Sequence, residues 1–173
     1  MRDIITDALV LDKEETGDFD ARLMLFTEKM GRVAARARSI RKITSKLAGH
    51  LEPFSFGKIR LVEGKGTENG WSRLQVVDAL KTTSFPHTRD IVPLILETTL
   101  EGHPDPRLWQ AVQSGGGVRE ILDALGFDPE FAHCARCGKE NPNAFFLPES
   151  AYYCRECLPR DLHPSQFVVF PRV

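Results

Sequence analysis

Residues 21–38 read Ala-Arg-Leu-Met-Leu-Phe-Thr-Glu-Lys-Met-Gly-Arg-Val-Ala-Ala-Arg-Ala-Arg. Ala21 to Thr27 and Arg32 to Arg38 are strand candidates, and Lys29-Met30-Gly31 closes them into a hairpin. In the second strand the side chains alternate between faces, so Val33, Ala35 and Ala37 point one way. Arg32, Arg36 and Arg38 point the other way, with Ala34 among them. Such a strand is half core and half cationic surface.

Outward from this hairpin the first eighty residues keep the same rhythm. Ile4 to Leu11 reads as a preceding strand, separated from the hairpin by a charged turn, Asp12 to Asp18. Phe54 to Val62 reads as a fourth, and its apolar positions change parity at Gly57, where a β-bulge or a barrel bend is expected. Asn69-Gly70 is a two-residue hairpin signal leading into a fifth strand, Leu74 to Leu80. Five short strands with glycine-rich turns predict a small closed barrel of the OB type.

The pattern turns helical after a linker at Thr82 to His87. Asp90 is the expected cap of a first helix, with Pro93 in its first turn, where a missing N–H costs little. Arg107 to Gln113 predicts a second helix. Val118 to Leu125 predicts a third, with Gly126 as its stop. The expected class is α+β: residues 1–81 an OB-type barrel, and residues 82–173 a small helical domain carrying a cysteine ribbon at 134–157.

All four cysteines fall into two pairs, Cys134-x₂-Cys137 and Cys154-x₂-Cys157, with sixteen residues between the pairs. Each pair can aim two thiolates at one ion, and two facing pairs supply the four sulfurs that zinc prefers. Gly138 follows the first pair, where a tight knuckle favours a residue tolerant of positive φ. A structural zinc is the expectation; paired disulfides, iron or free thiols are the alternatives. The ligand set is closed, so the site is read as holding a fold together rather than activating water.

Net charge is −1 over 173 residues, but the distribution is uneven. Seven basic residues lie between Lys29 and Lys46 with no acid among them, which leaves 16 basic against 24 acidic residues, or −8, elsewhere. Arg32, Arg36, Arg38, Arg41, Lys42 and Lys46 are the candidate nucleic-acid contacts. Alternate arginines on a strand sit roughly 6–7 Å apart, comparable to the phosphate repeat of an extended strand. A guanidinium also binds phosphate through a fork of hydrogen bonds. The alternative is a solvated strand face. Phe26, Phe54, Phe56 and Trp71 are candidate base-stacking platforms, although in a small barrel such residues are more often core. The histidines show no catalytic spacing, although His163 stands close enough after Cys157 to be weighed as a substitute ligand. No phosphate loop, nucleophile elbow or clustered acid set is visible, so no enzyme is expected. Asp3 and Asp7 argue against a secretory signal, the longest apolar run is too short for a membrane span, and thiols kept as ligands suit a reducing cytoplasm.

Two blocks resemble the RecO family of bacterial recombination and repair mediators. The first runs from Ala8-Leu9-Val10-Leu11 through Leu25-Phe26-Thr27-Glu28, Gly31-Arg32 and Ser45-Lys46-Leu47 to Leu51-Glu52-Pro53-Phe54. The second is Leu122-Asp123-Ala124-Leu125-Gly126-Phe127-Asp128-Pro129-Glu130, leading into Cys134. The resemblance implies an N-terminal OB-fold, a helical C-terminal domain with a zinc site, and binding of single- and double-stranded DNA. It further implies strand annealing, help in recombinase loading, and RecR as a partner. Less chain flanks the cysteine pairs than is usual in the family. A short form is therefore expected, with weak or absent binding of the single-strand-binding protein tail. The competing expectation is a zinc-stapled OB module for RNA or a ribonucleoprotein, without mediator activity.

Overall fold

The computed structural model describes residues 2–64, 73–83, 88–158 and 163–170. Its contacts divide the chain into two compact units: 1–85 with 99–109, and 86–98 with 110–173.

The first unit is built on five strands: β1 (Arg2–Thr16), β2 (Asp20–Thr27), β3 (Gly31–Ala37), β4 (Phe56–Glu63) and β5 (Leu74–Thr83). They close into a barrel in the order β1-β2-β3-β5-β4. All pairings are antiparallel except β3 with β5, which run parallel over Arg36–Gln75 and Ala37–Val76. This is the OB topology that the strand count and turn chemistry predict. Alternation places Leu23 and Leu25 of β2, Val33, Ala35 and Ala37 of β3, and Ile59 and Leu61 of β4 inside. Leu51 joins that core, and Leu47 and Ala48, around a 3-10 turn at Ala48–His50, pack against it.

Some local expectations hold, and others move. The ladder between β4 and β5 slips between Phe56 and Gly57. A Cβ on Gly57 would stand 2.2 Å from the Leu80 carbonyl oxygen, so a bare backbone is required there. β1 does not end at Leu11 but runs to Thr16, because Asp12–Thr16 ladder with Asp20–Met24. β4 begins at Phe56 rather than Phe54, since Phe54 occupies a left-handed turn at φ +68. The Asn69-Gly70 turn, Trp71 and His87 lie outside the described residues.

The chain returns to the barrel after its first helix. Gly31, at φ +65, faces the His103 carbonyl oxygen so closely that a Cβ would lie 2.1 Å away. The Gly102 N–H donates to the Arg32 carbonyl at 2.8 Å. Trp109 then stacks on Phe56 at 5.6 Å and tilts against Phe26 at 5.8 Å, forming an apolar layer outside the barrel.

The second unit holds α1 (Thr88–Thr98), part of α2 (Pro106–Gln113), α3 (Val118–Ala124), and a three-stranded sheet. That sheet has the order β7 (Ala151–Tyr153), β6 (Ala144–Phe146), β8 (Phe167–Val169). α1 starts at Thr88, so Pro93 is its sixth residue and interrupts the i→i−4 ladder beyond the first turn. Helix α3 stops as its sequence dictates. Gly126 adopts φ +87, its N–H donates to the Asp123 carbonyl, and the Phe127 N–H reaches back to Leu122. This pair of bonds is the Schellman closure that glycine permits. No helix among the described residues is long and apolar enough to cross a membrane.

Candidate nucleic-acid face and metal centre

The outward face of the β2–β3 hairpin carries the arginines, but not as an unneutralised row. Arg36 and Arg22 face each other across the ladder. Asp20 lies beside them, and its Oδ2 accepts from Arg36 Nη2 at 2.6 Å and Nε at 3.0 Å. Its Oδ1 accepts the Ser39 N–H at 2.7 Å, where Ser39 turns the chain out of β3 at φ +52. The Ser39 N–H, aided by the Arg36 and Arg38 charges, outweighs desolvation and holds the Asp20 carboxyl below its ordinary range. Arg41 likewise meets Glu15 at 3.0 Å.

The sequence shows no acid inside the basic segment, and there is none. The acids arrive from the β1–β2 hairpin instead. Register is the reason: Ala21 pairs with Ala37, so Asp20 comes opposite residue 38, one diagonal from Arg36. Asp20 could have been found by counting the hairpin register back from Thr27–Gly31. Arg38, Lys42 and Lys46 are exposed and make no ion pair among the described residues. Arg32 is half-buried, with its backbone bridged to Glu101. The six candidates therefore divide into two arginines that each pair with an acid, Arg36 and Arg41, an inner residue, Arg32, and three open cations.

Of the aromatic candidates, Phe26 and Phe56 are buried beneath Trp109 and Phe54 is half-buried. The first two serve packing. The largest exposed apolar side chains near the cations are ones the sequence did not single out: Phe19 and Ile43.

The four cysteines converge as their spacing predicts. Their sulfurs all lie within 4.8 Å of one another, and Cys137 Sγ is 3.7 Å from Cys154 Sγ. Two turns of the same form present them. The Gly138 N–H closes the first on the Cys134 carbonyl at 2.8 Å, and the Leu158 N–H closes the second on the Cys154 carbonyl at 3.1 Å. Gly138 takes φ +70, as a tight knuckle requires.

The β6–β7 hairpin carries the chain out and back between the turns, and the Ala135 N–H bonds the Tyr152 carbonyl at 2.8 Å. Beneath it Phe145 packs on Phe127 and Tyr152, each with ring centroids 5.0 Å apart. All four cysteines are free thiols. Burial opposes ionisation of Cys134, but backbone N–H groups of Cys154, Cys137 and Arg136 outweigh it and bring its thiol down to about 6. Hydrogen bonds to the Cys154 and Cys137 sulfurs push Cys157 up to about 12. The set can hold a metal ion. His163 is no part of it; its ring caps the 3-10 turn Pro164–Gln166. A cavity of about 590 Å³ in the same unit is lined by Arg119 together with Asp123, Asp128 and Glu130, an acidic setting unsuited to phosphate.

Comparison with known proteins agrees with this architecture. The "DNA repair protein RecO" of Streptomyces avermitilis is 29% identical over 191 residues, covering 92% of this chain and 76% of the relative. That of Nocardioides sp. is 26% identical over 177 residues, covering 87% and 72%. That of Dehalococcoides mccartyi is 28% identical over 179 residues, covering 90% and 70%. The family model for the recombination protein O N terminal matches residues 1–82, the barrel strands, and the model for its C terminal matches residues 119–167, from α3 through the cysteine ribbon. With both halves matched in order, the chain belongs to the RecO family.

Proposed function

We propose that this protein is a DNA-repair mediator that holds and anneals strands and assists recombinase loading, acting by binding rather than by bond chemistry. The match of both RecO halves in order carries this reading. The OB barrel supports it with three open cations, Arg38, Lys42 and Lys46, at and beyond the end of β3. Phosphate contacts of that kind bind single and double strands alike, since they carry no base information. RecR is the partner that the family reading brings, and the cytoplasm is the compartment.

We further propose that the four cysteines hold zinc. Zinc–sulfur bonds of about 2.3 Å in a tetrahedron place sulfurs roughly 3.8 Å apart. The observed Cys137–Cys154 separation of 3.7 Å matches that edge, and the remaining sulfurs need only small side-chain adjustments within their 4.8 Å cluster. A closed four-sulfur set of this kind ties the two knuckles together, so its role is structural.

The test is strand annealing by the purified full chain. Complementary strands coated with single-strand-binding protein should pair faster in its presence than alone, and metal analysis should return one zinc per chain. Annealing no faster than the uncatalysed control would remove the mediator reading. Iron, or no metal in gently purified material, would remove the zinc.

A further inference from the structure

One end of the barrel exposes two large apolar side chains, one beside the acids of the β1–β2 turn and the other beside a lysine of the loop after β3. Phe19, in the tight turn after β1, is 50% exposed, and Ile43, in the loop after β3, is fully exposed. Neither belongs to the core cluster. The two segments that carry them are fastened together. The Arg41 N–H donates to the Phe19 carbonyl at 3.0 Å, and the Arg41 guanidinium pairs with Glu15 at 3.0 Å. Asp20, next to Phe19, holds the Ser39 N–H at the root of the loop. Lys42, the neighbour of Ile43, places its ammonium 5.5 Å from the centre of the Phe19 ring. Gly17 takes φ +56 in the turn that carries Phe19.

A ring half open to water, with an ammonium over one face and further lysine charge along the loop, suits a ligand that offers flat apolar faces to the other face and negative charge to the lysines. Unpaired nucleobases on a phosphate strand have that chemistry. Bases in a duplex do not, because their faces are already stacked on each other. We propose that Phe19 is a stacking platform for an unpaired base, that Ile43 is an apolar contact against a neighbouring base, and that Lys42 takes the phosphate between them. This tip would then distinguish single strands from duplex, while Arg38 and Lys46 hold phosphate in either. The proposal rests on the nucleic-acid-binding reading above and deepens it.

The test compares full-chain binding to an oligothymidine strand, an abasic strand of equal length, and a duplex, all at one salt concentration. The wild type should prefer oligothymidine over the abasic strand by roughly five-fold or more, the effect of one stacked base. In Phe19→Ala that preference should vanish while duplex affinity is kept, and Ile43→Ala should reduce it in part. A Phe19→Trp variant, made in a Trp71→Phe, Trp109→Phe background, should retain the preference and lose emission on oligothymidine but not on the abasic strand. Its quenching reads contact directly, so the proposal can be judged even where the alanine variant misfolds. Equal wild-type binding to both strands, a preference that survives Phe19→Ala, or unquenched emission from the Phe19→Trp variant would overturn the base contact and leave the phosphate reading standing. No binding to any of the three ligands would overturn both.

Discussion

Asp20→Ala should cost the barrel unit about 2 kcal/mol, chiefly through a backbone bond rather than through the ion pair. The carboxylate serves two partners. Its Oδ1 accepts the Ser39 N–H at 2.7 Å, and its Oδ2 accepts the Arg36 guanidinium at 2.6 Å. A hydrogen bond to a charged acceptor contributes about 1.5–3 kcal/mol. The pair with Arg36 contributes less, roughly 0.2–1 kcal/mol, because the arginine side chain is 39% exposed and water screens it. Partial access of water to Ser39 after truncation sets the total near the lower end of the sum. Arg36→Ala should therefore cost less than Asp20→Ala, since it leaves the Ser39 bond intact.

Urea unfolding followed by Trp109 emission, in a Trp71→Phe background, reads this directly, because the indole packs on Phe26 and Phe56 within the same unit. With a slope of about 2 kcal/mol per molar, the midpoint of Asp20→Ala should fall by about 1 M. The pH dependence has a definite sign. The folded carboxyl titrates below its ordinary value of 3.8, so its stabilisation is fully present above that pH and is lost as pH falls through the lower folded value. The gap between wild type and Asp20→Ala should close only in that acid range. A cost under about 0.5 kcal/mol, or an Arg36→Ala cost equal to that of Asp20→Ala, would refute the view that Asp20 anchors the loop through Ser39.

Gly31→Ala should destabilise the same unit by more than about 2 kcal/mol, since the new Cβ meets the His103 carbonyl at a φ that disfavours alanine; a loss under about 1 kcal/mol in the same urea assay would show that residues 103–104 yield easily. Arg38→Ala should lower the single-strand salt slope by roughly 0.7 without moving the unfolding midpoint, and an unchanged slope in fluorescence titrations would remove Arg38 from the contact set. Chelation should abolish the near-ultraviolet dichroism of the Phe145–Tyr152 cluster while Trp109 emission stays native; loss of both signals together would show that the metal supports the barrel as well.

Alternation, turn residues and cysteine spacing act over a few neighbours, and where local chemistry decides, the sequence alone was sufficient. The β2–β3 hairpin follows from the period-two pattern around Lys29-Met30-Gly31, and the stop of α3 from Gly126. The four-cysteine cluster was legible for the same reason, because each Cys-x₂-Cys turn is a local structure and only the meeting of two such turns needs the β6–β7 hairpin.

Tertiary structure decided the rest. Asp12–Thr16 have no buried face to announce a strand, and they extend β1 only because β2 supplies backbone partners. The barrel closes through two parallel pairs between β3 and β5, residues nearly forty positions apart in the chain. No local pattern shows that Thr99–Trp109 returns to the barrel, because Gly31 reveals its need for a bare backbone only once His103 lies against it. The cationic segment makes the same point about function. Its charges are plain in the sequence, but which of them are open to a ligand depends on the register that places Asp20 beside Arg36 and on the contact that sets Glu15 against Arg41. Charge is a property of residues, whereas availability of charge belongs to the fold.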